Sequence, residues 1–232
     1  MNLKEHYSKL YKESVNNILA DNYEIDNLID SDSDKRFGIT LLVRPSTEVK
    51  DKIKKCINEL KKVEPNQYYY PNSDIHITVM SIISCYDGFD LTKIDLSKYI
   101  EIIKKCLEYD QDINIQFKGL TASNSCILLQ GFMNDNVLNE IRDKLRVEFK
   151  NSDLEQSLDK RYAIQTAHAT IVRFRNELNQ KDEFLKIIDD HLNFDFGTFE
   201  VKNFELVYND WYQREGFVKK LHEFNVENNA VK

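Results

Sequence analysis

The sequence predicts an α+β protein with two similar lobes, preceded by an N-terminal helix. Two observations indicate this fold class. Strand and helix patterns recur in the same order twice along the chain, and each series carries a histidine in its second strand. A repeated order of elements is typical of two related structural units, which we expect to be related by a pseudo-twofold axis.

Residues 1–36 lie outside this repeat. Apolar side chains recur at helical spacing between Leu3 and Leu19, which predicts an amphipathic helix. The acidic stretch 21–36 is typical of a connector to the main body. The two-lobed domain, with interleaved lobes, is therefore predicted over residues 37–226, and residues 227–232 are predicted to form a flexible tail.

The first series begins with "FGITLLV", a predicted strand at 37–43. The helix that follows is capped by Ser46 or Thr47, because a side-chain oxygen there can accept a backbone N–H of the first turn. In order, the predicted elements after the first strand are a helix at 48–63, the first histidine strand at about 75–84, a helix at about 96–109 and a strand at 113–119.

The second series has the same order. Its predicted elements are the strand "SCILLQGF" at 125–132, a helix at about 135–149, the second histidine strand at about 166–174, a helix at about 182–192, and the closing strands "TFEVKNFELVY" and "FVKKLHEF". The helices show apolar residues every third or fourth position, whereas the strands alternate.

Composition limits the class of protein. The chain has 232 residues, of which 41% are hydrophobic and 31% charged, as in ordinary globular proteins. No apolar run approaches the roughly 20 residues that cross a bilayer, and the N-terminal residues do not resemble a secretory signal. The four cysteines form no C-x-x-C pair, so neither a disulfide framework nor a zinc site is indicated. We expect a cytoplasmic protein with no membrane association and favour a monomer.

The formal net charge of −7 limits the partner. Proteins that coat long nucleic acids usually present a basic surface, because neutralised phosphates supply the affinity. We therefore expect a small partner, a nucleotide or a short oligonucleotide, held by a few local cationic groups.

The two histidine strands share the pattern His-x-Thr. Side chains alternate faces along a strand, so His76 and Thr78 share one face, and His168 and Thr170 share the corresponding face in the second copy. Residues two apart lie roughly 6.5–7 Å apart along a strand. An imidazole and a hydroxyl at that separation can contact different oxygens of one phosphate.

Two such strands across a groove predict acid/base catalysis at a phosphodiester. One imidazole can take a proton from the attacking oxygen while the other gives one to the leaving oxygen, because the ordinary histidine pKa of about 6.5 permits both forms near neutrality. The threonine hydroxyls can donate to the non-bridging oxygens. This chemistry requires no cofactor and no metal. The alternative is that both histidines are satisfied structural residues.

These motifs, "HITV" and "HATI", resemble the 2H phosphoesterase superfamily, which has one His-h-Thr/Ser-h motif in each lobe, where h is hydrophobic. The superfamily includes 2′-5′ RNA ligase-like proteins and cyclic phosphodiesterases. The resemblance implies lobes of antiparallel sheet with helices outside, a central groove and metal-independent chemistry. His76 and His168 are then the acid/base partners, and Thr78 and Thr170 bind phosphate.

Four further residues are candidates for substrate binding. Ligase-like members often have arginine five positions after the second histidine, where Arg173 lies. Simple alternation turns Arg173 away from His168, so it reaches the groove only through a bulge or at the strand end. Tyr70, Trp211 and Tyr212 can stack on a base, or can equally cap the edges of the core.

The leading hypothesis is hydrolysis of a nucleotide-derived 2′,3′-cyclic or 2′,5′-linked phosphoester. The alternatives are a module that binds a nucleotide or RNA end without turnover, and 2′-5′ RNA ligase activity, which reverses one permitted hydrolysis. A metallohydrolase is a further alternative, although no carboxylate cluster accompanies either histidine.

Overall fold

The architecture, described by a computed structural model over residues 2–109, 112–160 and 163–226, has two antiparallel sheets with helices packed outside them. The predicted tail at 227–232 lies outside the described residues. In the described part of the chain, no helix combines the length and the hydrophobicity needed to span a bilayer.

The helices agree with the sequence pattern. In the described residues they are α1 (Leu3–Leu19), α2 (Thr47–Val63), α3 (Leu96–Cys106), α4 (Val137–Lys150) and α5 (Lys181–Asp190). Ser46 caps α2, since its hydroxyl accepts the backbone N–H of Val49. The third helix ends at Cys106, three residues before the predicted end, and the N–H of Leu107 closes its last turn.

The strands in the described residues are β1 (Arg36–Val43), β2 (Tyr68–Tyr69), β3 (Ile77–Asp87), β4 (Asn114–Ala122), β5 (Cys126–Met133), β6 (Ala169–Arg173), β7 (Asp195–Glu200), β8 (Asn203–Asp210) and β9 (Lys219–Asn225). They form one sheet in the order β3-β1-β8-β9 and a second in the order β2-β6-β5-β4-β7.

The two sheets share one arrangement, which is the pseudo-twofold relation that the repeat predicts. Without β2, the second sheet reads β6-β5-β4-β7, and each strand matches its counterpart in β3-β1-β8-β9. The histidine strands β3 and β6 occupy corresponding positions. The lobes interleave because the first sheet takes β1 and β3 from early in the chain and β8 and β9 from its end.

The prediction of a single strand for "TFEVKNFELVY" is wrong. The segment divides at Val201 and Lys202, so that β7 joins the second sheet and β8 the first. The N–H of Val201 donates to Ile113 at 2.8 Å. The alternation shifts by one residue at the crossing, because Lys202 and Asn203 are consecutive polar residues between the apolar Val201 and Phe204. This interruption is the local sign that the chain changes sheets.

The outer edge of each histidine strand is covered by the segment that leads into the other one. Strand β2 precedes the first motif and pairs with β6. Ser157 precedes the second motif and donates its N–H to Ile82 of β3 at 2.8 Å. The exchange satisfies edge groups that would otherwise stay unpaired and ties the lobes together. Strand β2 is too short for the sequence to predict.

The helices also connect the lobes. Helix α2 leaves the first sheet but packs on β7 of the second and on α5, whereas α4 leaves the second sheet and packs on β3 and α3. Burying a Leu or Ile side chain stabilises a fold by about 1.5–3 kcal/mol, so the apolar faces of these helices fix the two sheets relative to one another.

The acidic connector is held against the second lobe. Ile29 is 2% exposed, and the N–H groups of Glu24 and Asp26 donate to Asn124 and Phe174 at 2.7 and 2.8 Å. Asp26 therefore lies beside the end of β6, the second histidine strand.

Candidate active site

A cavity of about 190 Å³ lies between the two histidine strands. All eight residues that the sequence singles out line it, namely Tyr70, His76, Thr78, His168, Thr170, Arg173, Trp211 and Tyr212. The lobes thus bring together two motifs that lie far apart in the chain.

Each histidine lies one residue before its strand, since β3 begins at Ile77 and β6 at Ala169. The sequence predicts strands that include the histidines, so this is a small correction. The chain before each strand turns away to cover the other lobe, and ladder pairing therefore starts after the imidazole. His76 and His168 still share a face with Thr78 and Thr170 respectively, because all four line the cavity.

The Nδ1 atom of each histidine forms a hydrogen bond with the residue two positions earlier in the chain. His76 Nδ1 lies 2.7 Å from the backbone oxygen of Asp74, and His168 Nδ1 lies 2.6 Å from the Thr166 hydroxyl. A carbonyl can only accept, so neutral His76 carries its proton on Nδ1 and leaves the Nε2 lone pair free. The Thr166 hydroxyl can donate or accept.

Each strand bulges directly after its threonine. In β3, Thr78 faces Leu42 and Met80 faces Leu41, which leaves Val79 without a partner position. In β6 the same register shift leaves Ile171 without a partner position on β5. A bulge reverses the alternation beyond it, and this is why Arg173 lines the cavity although simple alternation turns it away.

Sequence alternation missed two serines for the same reason. A second bulge at Ile82 gives β3 a three-residue spacing of cavity-lining hydroxyls, at Thr78, Ser81 and Ser84. Ser81 occupies the position in the first lobe that Arg173 occupies in the second. Polar residues at every third place in an apolar strand are the signal that could have revealed the bulges.

Burial lowers the pKa of His76 and of His168 to about 4. Arg44, His168 and Lys50 lower it further at His76, and the hydrogen bond to Asp74 opposes the shift. Without an anion in the cavity, both imidazoles are therefore neutral at pH 7. An opposite charge placed between them favours the protonated form.

Arg142 of α4 joins the two motifs from below and was missed by sequence reasoning. Its side chain is fully buried, and it donates to the backbone oxygens of Thr78 and Val79 at 3.1 Å and of Thr166 at 2.9 Å. Burial lowers the pKa of its guanidinium to about 10. One rigid cation therefore fixes the separation of the two histidine segments.

Arg173 has one free donor. Its side chain contacts Tyr70, and one of its terminal nitrogens lies 3.6 Å from an Asp26 oxygen. Its Nε is buried and has no hydrogen-bond partner among the described residues. Tyr70 itself is only 3% exposed, so its ring packs in the cavity wall behind Arg173.

The aromatic candidates differ in their surroundings. Tyr212 is 1% exposed, and its hydroxyl donates to Asp26 at 2.9 Å and accepts from Arg36 at 3.2 Å. The Arg36 guanidinium carbon also lies 4.6 Å from the Trp211 ring centre. Trp211 is partly exposed, and its ring is therefore the better placed of the two to meet a ligand.

Two further buried acceptors line the cavity without a partner in the described part of the chain, Asn209 Oδ1 and Gln213 Oε1. Gln213 has φ of +60°, a conformation that costs energy for a residue other than glycine. Buried polar atoms are normally satisfied. These two oxygens and Arg173 Nε are exceptions among the described residues, and each is almost fully enclosed by the cavity wall.

The remaining histidines lie elsewhere, and His6, His191 and His222 do not line this cavity. The four cysteines all lie in the described residues, and no two of them are joined by a disulfide. Among the residues that the structure describes, no three His, Cys, Asp or Glu side chains lie together as a metal site would need.

Two interleaved α+β lobes that each supply a His-x-Thr motif to one cavity define the 2H phosphoesterase class. Residues 16–226 match the family model described as the AKAP7 2′5′ RNA ligase-like domain, and the chain belongs to this family. The matched stretch includes both histidine motifs and excludes most of α1.

Solved structures share this fold. The protein TT0787 of Thermus thermophilus has a TM-score of 0.59 at 12% identity, covering 84% of this chain and 99% of its own. E. coli LigT complexed with 3′-AMP has a TM-score of 0.56 at 10% identity, covering 83% of this chain and 99% of its own.

A conserved protein of unknown function from Agrobacterium tumefaciens, ATU0111, has a TM-score of 0.59 at 12% identity and covers 89% of this chain and 97% of its own. Identities this low establish the fold alone. No curated protein matches the sequence significantly.

Proposed function

We propose that this protein hydrolyses a nucleotide-derived phosphoester, either a 2′,3′-cyclic phosphate or a 2′,5′ linkage, without a metal ion. The observation that carries the proposal is that His76 and His168, each accompanied by its threonine, line one cavity from opposite lobes. His76 and His168 are the acid/base pair, and Thr78 and Thr170 bind the phosphate.

The reaction exchanges one P–O bond for another. A water oxygen attacks phosphorus and gives its proton to the Nε2 of one imidazole, while the other imidazolium protonates the departing ribose oxygen. The substrate anion raises the pKa of the imidazoles from about 4, and this supplies the protonated partner. In a cyclic phosphate the product is a nucleoside monophosphate, and in a 2′,5′ linkage the chain is cut.

The hydroxyls and Arg173 stabilise the charge that develops on phosphorus. Thr78 and Thr170 donate to the non-bridging oxygens. Ser81 and Arg173, three positions further along the same strands, line the cavity beside them. The side chain of Arg173 lines the cavity and is partly exposed, so its guanidinium places a positive charge beside a bound phosphate.

The nucleoside part has its own partners in the cavity. The amide side chains of Asn209 and Gln213 line the cavity, and amides bond to groups such as ribose hydroxyls or an exocyclic amino group. Trp211 offers a ring for base stacking. The binding of a nucleotide or short oligonucleotide agrees with an acidic protein in which Lys160 and Arg173 line the cavity.

The direct test is a substrate screen in EDTA with 2′,3′-cyclic nucleotides, 2′,5′-linked oligonucleotides and matched 3′,5′-linked controls. We expect products from one of the first two classes, detected by mass spectrometry, and no loss of rate with chelator. Tight binding without product supports the non-catalytic module instead. Joining of 2′,3′-cyclic and 5′-hydroxyl ends supports ligation, and activity restored only by zinc contradicts the proposal.

A bound dianion is expected to raise the pKa of both cavity histidines. Their pKa values are lowered to about 4 by burial, so anion binding must be coupled to proton uptake and strengthen as the pH falls from about 7 toward 5. Sulfate is the suitable probe because it stays a dianion over this range. NMR titration of the imidazole signals measures the effect.

We expect sulfate to raise both values by at least about one unit. The signals of His222, which lies outside the cavity, serve as the internal control. Unchanged titration of His76 and His168 in saturating sulfate contradicts an anion site between them.

A further inference from the structure

The segment 152–160, here called the strap, follows α4 and lies along β3, the histidine strand of the first lobe. Ser157 donates its N–H to Ile82, and its hydroxyl accepts the N–H of Ser84 at 2.6 Å. Glu155 is held as well, because its backbone oxygen accepts the Tyr99 hydroxyl at 2.6 Å. The strap therefore has a fixed position against the first lobe, although the chain reaches it from the second.

The last two residues of the strap, Asp159 and Lys160, line the cavity between the histidine strands. Asp159 has φ of +55°, a conformation that costs energy for a residue other than glycine. Arg146 of α4 holds it there, since its Nε and one terminal nitrogen donate to the carboxylate at 2.7 and 3.3 Å. Arg146 also donates to the backbone oxygen of Ile164 at 3.1 Å. One arginine thus anchors the chain on both sides of Lys160.

The charges in the cavity wall are not all matched. Apart from the two histidines, the titratable residues with a charge that line the cavity in the described chain are Asp159, Lys160 and Arg173. The Asp159 carboxylate is paired with Arg146, and Arg173 lies 3.6 Å from Asp26. Lys160 is exposed and forms no ion pair with a described residue. Its ammonium is therefore available to an anionic group of a ligand.

Lys160 is displaced along β3 from the place where the two motifs bind phosphate. Ser157 meets β3 at Ser84, six residues beyond Thr78, which corresponds to roughly 15–20 Å along a bulged strand. Thr166 is joined to Thr78 through a shared arginine. Lys160 is three residues from Ser157 and six from Thr166, so it lies toward the Ser84 end. A cation there contacts a part of the ligand other than the reacting phosphate.

We propose that Lys160 binds a second, non-reacting phosphate of the substrate, namely the 5′-phosphate of the nucleoside whose 2′ oxygen carries the reacting group. The assignment rests on the proposed function, which identifies the reacting phosphate. Ribose and the bases are uncharged at neutral pH, so the anions that a nucleotide offers to an ammonium are its phosphates. The substrate class is then narrowed to 5′-phosphorylated nucleotides or oligonucleotides, as opposed to those with a 5′-hydroxyl.

The test uses pairs of substrates that differ only in the 5′-phosphate, either 2′,3′-cyclic nucleotides or 2′,5′-linked dinucleotides, according to the class that the screen identifies. We expect the wild type to favour the phosphorylated member about fivefold in kcat/KM through a lower KM, the upper end for a partly solvated ion pair. Lys160→Met should bring this ratio close to one, and Lys160→Arg should keep it. An equal ratio in K160M and wild type, or no preference in wild type, overturns the inference.

Lys150→Met is the matched control. Lys150 ends α4, is exposed and does not line the cavity, and its replacement changes the net charge by the same amount. K150M should therefore keep the wild-type preference, and an equal loss in K150M and K160M would mean that overall charge sets it. The preference should also shrink between about 0.1 and 1 M salt, because salt screens exposed charges. A preference that salt leaves unchanged contradicts an ion pair at Lys160.

Binding probes keep this assignment separate from the proposed function. The pair 3′-AMP and adenosine 3′,5′-bisphosphate differs by the same 5′-phosphate and requires no turnover, and calorimetry gives both Kd values. We expect the bisphosphate to bind about fivefold more tightly to wild type and K150M, and no more tightly than 3′-AMP to K160M. If no substrate is turned over, the proposed function fails while this comparison still decides the role of Lys160. Turnover without a 5′-phosphate preference leaves the proposed function intact and overturns the second phosphate site.

Discussion

Replacing His76 or His168 with alanine is expected to abolish nearly all phosphoester hydrolysis. Each positioned proton transfer typically accelerates a reaction by about 10²–10⁴, and each variant loses one of the two transfers. Initial rates measured in EDTA, with the substrate identified by the screen, give the size of the loss. Both single variants should fall by at least about a hundredfold.

The loss of activity should not reflect loss of the fold. Both imidazoles are neutral at pH 7 and face a cavity, so their removal exposes no unpaired charge. The matched control is His222→Ala, since His222 lies on β9 and packs against Phe224 with ring centres 4.5 Å apart. That variant should keep its rate. Full activity in either cavity variant would remove two-histidine catalysis as the mechanism.

Much of the fold follows from local patterns in the sequence. The helices could be predicted because apolar residues at every third or fourth position define a buried face, as in α2, whose cap at Ser46 also follows from local chemistry. The equivalence of the two series correctly predicted two related sheets. Helical periodicity and helix caps depend only on residues close together in the sequence, and this is why they can be read from the sequence alone.

The features that were missed depend on residues far apart in the sequence. The strand β2 has only two residues and exists because β6 offers it an edge. The bulges at Val79 and Ile171 arise from register against β1 and β5, and the spacing of polar residues within a histidine strand is only an indirect sign of that register. These bulges nevertheless determine which side chains line the cavity, because they turn Ser81 and Arg173 toward it.

Sequence reasoning missed Arg142 and Tyr7, although the helical pattern around each residue contains a sign of its role. Arg142 falls between Leu138 and Leu145 at the spacing of a buried helix face, and a charge there is a sign of a specific internal partner. Tyr7 lies on the apolar face of α1, where the helical pattern predicts that it packs. Its hydroxyl partner, the backbone of Gly131, could be identified only from the folded chain.

Arg142→Met is expected to lower both stability and activity. The change leaves the backbone oxygens of Thr78, Val79 and Thr166 without their donor in the interior. Unsatisfied buried acceptors cost about 1–3 kcal/mol each, and relief of the desolvated guanidinium offsets part of this, so we expect a net loss of about 2–4 kcal/mol. Chemical denaturation measures the free energy of unfolding.

The activity of R142M separates its role from general stability. Arg142 bonds to Thr78 in the first motif and to Thr166 just before the second. Without this common donor, the distance between the two motifs can change. A misplacement of this kind lowers the rate even in fully folded protein, so we expect kcat to fall at least about tenfold at a temperature well below unfolding. Arg142→Lys should be intermediate, because an ammonium cannot reproduce the planar fork.

Arg146→Met is the matched control one turn along α4. Arg146 pairs with Asp143 and Asp159 at 2.8 and 2.7 Å and is partly exposed, so its loss should cost no more than about 1 kcal/mol. Stability and kcat in R142M that equal those of R146M would show that Arg142 is an ordinary helix cation. A selective loss in R142M would instead mean that the distance between the two imidazoles is fixed by a side chain that contacts neither of them.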